Sequence, residues 1–311
     1  MPYLSVVVPV YRSAPVLKEL HRRLSAVLTD AKVTFEIIFV EDCGGDGSWD
    51  VVQALAQADD RVHGLRMSRN FGQQNALLAG VRAARGEVIA TLDDDLQHPP
   101  EELPKLLAVF GQGHDVVYGW PERQQHGLLR NAASHVTKLV LQEAMGLENA
   151  VRISAFRVFS TRLREAFAEF RGPPVNLDIL LTWGTRNVTG IPVRHDPRCH
   201  GRSGYDAAKL LSIAINLLTG FSAIPLRLAS AMGVLFAAFG ILLIAFVLLR
   251  LLITGYSVPG FPFLAASICL FSGVQLLTLG VLGEYVARIY LRSMNQPAYL
   301  VRETTPSKDR T

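Results

Sequence analysis

The chain has 311 residues, half of them apolar, and a formal net charge of +4. So mild a positive charge excludes the basic footprint of a nucleic-acid binder, and no nucleic-acid partner is expected. Cys43, Cys199 and Cys269 lie far apart, which excludes a disulfide framework or a paired-cysteine zinc site and fits a reducing compartment.

Taken in chain order, the first half alternates strands and helices. Leu4–Val10 is a short β-branched run, the pattern of a buried parallel strand. No signal peptide is expected ahead of it, since Met1-Pro2-Tyr3 is not an apolar stretch behind a basic one. Pro15 opens a helix with Leu17, Leu20, Leu24 and Leu28 at helical spacing. Phe35–Val40 is a second strand, ending in the Gly- and Asp-rich loop Glu41–Ser48, with a helix from Trp49 to Ala58. Val62–Met67 is a third strand, Gln73–Ala84 a helix of many small residues, and Val88–Leu92 a fourth strand that stops at Asp93. Pro99–Val109 reads as a helix and Asp115–Gly119 as another strand. Short alternation of this kind predicts an α/β fold with a mostly parallel sheet. A dinucleotide-binding dehydrogenase is excluded, because no G-x-G-x-x-G follows the first strand.

The second half is different. No charged residue occurs from Leu228 to Leu249, nor from Leu251 to Gly283, with Arg250 the single interruption. Both runs exceed the roughly 18 apolar residues that mark a membrane span. Gly255, Pro259, Gly260 and Pro262 make a turn, so the chain divides into spans at about 228–249 and 263–283: a transmembrane hairpin. Lys209, Arg227, Arg288, Arg292 and Arg302 flank its outer ends, which by the positive-inside rule puts both termini in the cytoplasm. Ala207–Phe221 has apolar positions at helical spacing and reads either as a helix lying in the membrane interface or as a core helix. The expected organisation is a catalytic domain over residues 1–205, an interfacial helix and linker over 206–227, the hairpin over 228–283, and a cytoplasmic C-terminal segment over 284–311 whose tail after Glu303 is disordered.

Ligands of open α/β sheets bind outside the carboxyl ends of the strands, where Glu41, Asp42, Asp93, Asp94 and Asp95 all fall. Carboxylates one residue apart at a strand end suit a hard cation such as Mg²⁺ or Mn²⁺, although an acidic turn or helix cap reads the same way. Arg194, His195, Arg198, His200 and Arg202 form a basic cluster fitted to a lipid phosphate, to anionic headgroups, or to both.

These segments in their order resemble the polyprenyl-phosphate members of glycosyltransferase family 2, which have the GT-A fold. The resemblance rests on Val8-Pro9-Val10-Tyr11, on Arg69-Asn70-Phe71-Gly72-Gln73-Gln74, on Thr91-Leu92-Asp93-Asp94-Asp95-Leu96-Gln97-His98-Pro99-Pro100-Glu101, and on Gly283–Tyr290 followed by Asn295-Gln296-Pro297. It implies an inverting, metal-dependent transferase of the bacterial inner membrane, moving a sugar from a UDP- or GDP-linked donor to a polyprenyl phosphate such as undecaprenyl phosphate. Asp95 and Asp93 would hold the metal, with Asp93 and Asp94 near the sugar nucleotide. Pro9, Tyr11, Glu41 and Asp42 match positions around the nucleobase and ribose, with Asn70 and Gln74 nearby. Arg198, Arg202, Ser203 and Tyr205 fall in a basic loop near the phosphates. The resemblance also implies a homo-oligomer, with a tetramer the expected form. Glu148 and Asp178 are the two candidates for a catalytic base, a role that the family can also leave empty.

The chain departs from the pattern at Ser13, where an acid is usual, at Cys43-Gly44, and at Gly204, where the basic loop has lysine. Two competing readings remain. A processive polysaccharide synthase lacks support, because neither Gln-x-x-Arg-Trp nor a channel's worth of further spans is present. A non-catalytic membrane scaffold is the other.

Overall fold

The computed structural model describes residues 1–122, 153–172, 175–196, 224–254 and 260–306. They divide into two units, Met1–Asp206 with Gln296–Thr311, and Ala207–Asn295.

The first unit is an eight-stranded sheet with helices on both faces. Its elements are β1 (Leu4–Val10), α1 (Ala14–Asp30), β2 (Phe35–Glu41), α2 (Ser48–Ala58), β3 (Val62–Met67), α3 (Gln73–Ala83), β4 (Val88–Thr91), α4 (Leu103–Phe110), β5 (Val116–Pro121), β6 (Arg157–Ser160), α5 (Leu177–Gly184), β7 (Val188–Val193) and β8 (Val301–Thr304). The strand order is β7-β5-β6-β4-β1-β2-β3-β8. The β1, β2, β3 and β4 pairings are parallel, as is β5 with β7, while β6 and β8 run antiparallel to their neighbours. The sheet is mixed but mostly parallel, as the alternating pattern predicts.

Side-chain alternation in β1 feeds two cores. Leu4, Val6, Val8 and Val10 pack with Leu17, Leu20, Leu24 and Leu28 of α1 on one face; Val7 packs with α3 and α5 on the other. The small residues of α3 have a packing reason: a Cβ on Gly80 would lie 2.3 Å from Val7 Cγ1, so the helix rests directly on the sheet. The helix expected over Pro99–Val109 is a 3₁₀ turn at Pro100–Glu102 running into α4.

Strands β6, β7 and β8 carry no strong sequence signal. β8 is the largest surprise. The tail expected to be disordered after Glu303 is corrected at its start, where Thr304 closes a strand, Val301–Thr304, that pairs with β3, and Thr305 is buried; residues 307–311 lie outside the described ones.

The second unit holds α6 (Ile224–Thr254) and α7 (Phe261–Ser293). Here the apolar side chains face outward: Leu242 is 69% exposed and Leu252 84%. The segments Pro225–Arg250 and Leu270–Ser293 are long and apolar enough to cross a membrane, with 26 and 24 residues. At 1.5 Å per residue each exceeds the roughly 30 Å of a hydrocarbon core. Helix α7 starts two residues earlier than expected, since Pro262 sits in its first turn, where a missing N–H is harmless.

Candidate active site

The acids at the carboxyl ends of β2 and β4 have different partners. Glu41, 2% exposed, accepts from Gly44 N–H at 2.6 Å and lies 3.5 Å from Arg66 Nε. Asp42 accepts from the N–H groups of Phe71 and Gly72, each at 2.7 Å. Burial raises its pKa, and those two backbone bonds offset only part of the shift. Both side chains therefore close loops.

Asp94 turns back toward β1. Its Oδ2 accepts from Tyr11 N–H at 3.0 Å and from Ser13 Oγ at 2.5 Å. Burial is again the main cause of its raised pKa. The departure at Ser13 now has a physical role: a hydroxyl donates to Asp94, whereas an acid there would repel it. Asp46, which the sequence reading missed, extends the network by accepting from Ala14 N–H at 3.1 Å and Ser48 Oγ at 2.7 Å. Its signal was the Asp-Gly-Ser turn before α2. Tyr11 remains 44% exposed beside the loop, with the Arg12 guanidinium 5.2 Å from its ring centroid. Pro9 sits in β1, opposite Val40.

Asp93 and Asp95 stay partly exposed in the loop after β4. Asp93 Oδ1 accepts from Gln73 Nε2 at 2.6 Å, and Asp95 Oδ1 from Gln97 N–H at 3.1 Å, an Asx turn. Leu96 between them and His98 has φ 59°, a left-handed conformation rare for a branched residue, which marks a tightly constrained loop. Gln73, rather than Gln74, meets the aspartates. Gln74 accepts from Leu177 N–H at 2.9 Å and so positions the start of α5. Asn70 Oδ1 accepts from Gly72 N–H at 3.0 Å.

Asp178 lies on α5, 7% exposed. It accepts from Tyr118 Oη at 2.8 Å and pairs with the buried Arg157, whose Nε also donates to Thr91 Oγ at 3.0 Å. Burial would depress the Arg157 pKa, but the Asp178 and Tyr118 oxygens more than compensate, and it is raised. His98, 9% exposed, stacks on Phe156 at 5.5 Å and meets His195 edge-on at 5.1 Å. Burial, helped by the nearby His195, drops its pKa to about 4, so the ring is neutral at physiological pH. The backbone joins the same regions, with Asp196 N–H donating to Gln97 O at 2.9 Å. Glu148, Arg198, Arg202, Ser203 and Tyr205 lie outside the described residues, as does the expected interfacial helix.

Known proteins match this arrangement. The family model described as "Glycosyl transferase family 2" matches residues 5–169. The chain belongs to glycosyl transferase family 2. It is a glycosyltransferase. The chain is 36% identical over 310 residues to an undecaprenyl-phosphate 4-deoxy-4-formamido-L-arabinose transferase of Pseudomonas aeruginosa (strain LESB58), covering 98% of this chain and 91% of that protein. A protein of the same name from Shewanella sediminis is 34% identical, with coverage of 97% and 92%. Among solved structures, glucosyl-3-phosphoglycerate synthase of Mycobacterium tuberculosis, in complex with Mn²⁺, UDP-glucose and phosphoglyceric acid, matches at TM-score 0.53 and 18% identity, covering 70% of this chain and 79% of that one. At that identity the likeness concerns the fold, and it supports the GT-A class.

Proposed function

We propose that this glycosyltransferase moves a sugar from a nucleotide sugar to a polyprenyl phosphate, undecaprenyl phosphate in particular, giving a lipid-linked sugar for modification of the cell envelope. The observation that carries the reading is the end-to-end match to the undecaprenyl-phosphate transferases, which takes in the two apolar helices as well as the sheet. A lipid acceptor is the reason for such helices. In the same reading the protein sits in the bacterial inner membrane with the sheet and both termini on the cytoplasmic side, in keeping with Arg227, Arg288 and Arg292 at the outer helix ends.

The donor side fits a divalent cation. Asp93 and Asp95 offer hard carboxylate oxygens from one constrained loop, the donor type preferred by Mg²⁺ and Mn²⁺. Among the described residues no three His, Cys, Asp or Glu side chains converge as a closed metal cage. Two carboxylates completed by substrate phosphates and water is the usual arrangement for Mg²⁺. When bound, the cation neutralises the leaving diphosphate. The protein's part is positional. Gln73 orients Asp93, the Asx turn orients Asp95, and Asp94 holds the Tyr11–Ser13 segment beside them. An ionised lipid phosphate oxygen attacks the anomeric carbon as its bond to the diphosphate breaks. An acceptor already ionised at neutral pH needs no strong base. That agrees with Asp178 being committed to Arg157, and we assign it a positioning role.

The test uses the full-length chain in detergent with Mg²⁺ or Mn²⁺, undecaprenyl phosphate, and a panel of UDP- and GDP-linked sugars headed by the 4-deoxy-4-formamido-L-arabinose donor. Mass spectrometry of the lipid is expected to show one sugar added. Absence of transfer across the panel, from folded protein, overturns the proposal.

A further inference from the structure

We propose that the C-terminal strand β8 is a positioning element of the donor site, resting on the reading above that this site takes a nucleotide sugar. The sheet would otherwise end at β3. Residues 300–305 cover that edge: Ser68 N–H donates to Leu300 O at 2.9 Å, Thr305 N–H to Gly64 O at 3.0 Å, and Gly64 N–H to Thr305 Oγ1 at 2.8 Å. The pairing shifts register between Arg66 and Met67, the irregularity by which a strand end is re-aimed. Ala298 and Val301 join the core on the α3 face, and the Tyr299 ring lies 5.8 Å from the Arg82 guanidinium of α3.

What β8 grips is the start of the segment that organises the acids. Ser68 is followed by Phe71 and Gly72, whose N–H groups hold the two Asp42 oxygens, with Asn70 Oδ1 also accepting from Gly72 N–H, and by Gln73, which holds Asp93. Gly72 has φ 89°, so this segment makes a turn that a side chain would strain. A second link is electrostatic. Arg66 lies 3.5 Å from the buried Glu41 and 3.7 Å from Glu303 of β8, and Gln53 Nε2 donates to Glu303 at 3.0 Å. Glu41 in turn closes the loop at Gly44. β8 thus fixes Arg66 and Ser68, from which the two loops carrying Glu41–Gly44 and Phe71–Gln73 take their positions. Both loops belong to the donor side in this reading, so the effect of β8 falls on donor affinity and spares the acceptor.

The experiment compares full-length wild type with the double variant Glu303→Ala/Thr305→Ala. KM for donor and for undecaprenyl phosphate are measured, together with binding of UDP and GDP in Mn²⁺. The expected result is a donor KM and nucleotide Kd raised about threefold or more, with acceptor KM within about twofold. Equal donor KM in a folded variant, or donor and acceptor KM rising together, overturns it. Deleting residues 296–311 is the stronger test. Donor KM should rise about tenfold or more, and a synthetic peptide of the deleted residues should restore it by strand addition. If the deletion variant fails to fold, the double variant decides. If wild type binds neither nucleotide, the donor-site reading itself fails, and this proposal with it.

Discussion

Carboxylates serve opposite ends in two neighbouring regions of the sheet unit. Under β4, Asp178 is 7% exposed and meets a buried guanidinium, with Tyr118 completing the set. In the loop beyond β4, Asp93 and Asp95 remain partly exposed and accept hydrogen bonds from the Gln73 amide and the Gln97 N–H. A neutral donor orients a carboxylate and does not itself cancel its charge. A guanidinium cancels it and turns it into a structural tie. The lesson is that an acid's duty in this fold follows from its partner, and neither residue type nor nearness to the strand end reveals it.

That contrast breaks or sharpens most clearly with the loop acids. Asp93→Asn together with Asp95→Asn should lower transfer by roughly 10²–10³-fold or more, since stabilisation of the leaving charge is lost. The melting temperature should stay within about 2 °C, because an asparagine Oδ1 can still accept from Gln73 Nε2 and from Gln97 N–H. A large melting shift in this variant would blur the distinction between the two regions.

The reverse pattern is expected below. Asp178→Asn leaves Arg157 buried without a counter-charge and should cost about 3–5 kcal/mol, read as a fall in denaturant midpoint of the solubilised chain. A well-folded Asp178→Asn protein that loses activity together with the acid limb of its pH profile would instead make Asp178 the base, and would erase the contrast.

His98 tests the seam between the regions. Its folded pKa of about 4 lies below the ordinary 6.5, so between these values the unfolded chain binds a proton that the folded chain does not. Stability should therefore fall as pH drops from about 6.5 to 4, by at most about 3 kcal/mol, and level off below. His98→Phe keeps the stacking on Phe156 and should flatten this part of the stability–pH curve. The smallest effect is expected for Ser13→Ala, which removes one hydrogen bond to Asp94 and should cost about 1 kcal/mol, with donor KM raised less than tenfold.

Much of this was legible in the residues. Short apolar, β-branched runs located β1 to β5 and helical spacing located α1 to α3, since a strand covered on both faces is apolar throughout and a helix buries one stripe. The clustering of acids at strand ends marked the candidate site, and the structure brings Asp42, Asp93, Asp94 and their partners to the ends of β1, β2 and β4. What escaped was of two kinds. β6, β7, α5 and β8 are short and held by neighbours distant in sequence, so local pattern carries little of their signal. Individual partners escaped for the same reason: Gln73 was chosen over Gln74 by the rotation of α3, Ser13 was read as a departure although Asp94 makes use of it, and the pairing of Arg157 with Asp178 has no local signal.

The sequence by itself determined the fold class, the apolar helix pair and the acid-rich loop after β4, because periodicity, run length and residue chemistry are local properties. Only the tertiary structure decided which acids are spent on holding backbone, which one meets a buried guanidinium, and that Val301–Thr304 returns to the sheet. Each of those outcomes depends on contacts between residues far apart in sequence, up to the 250 positions separating Gln53 from Glu303, and hydrogen-bond partners at such separations are set by packing.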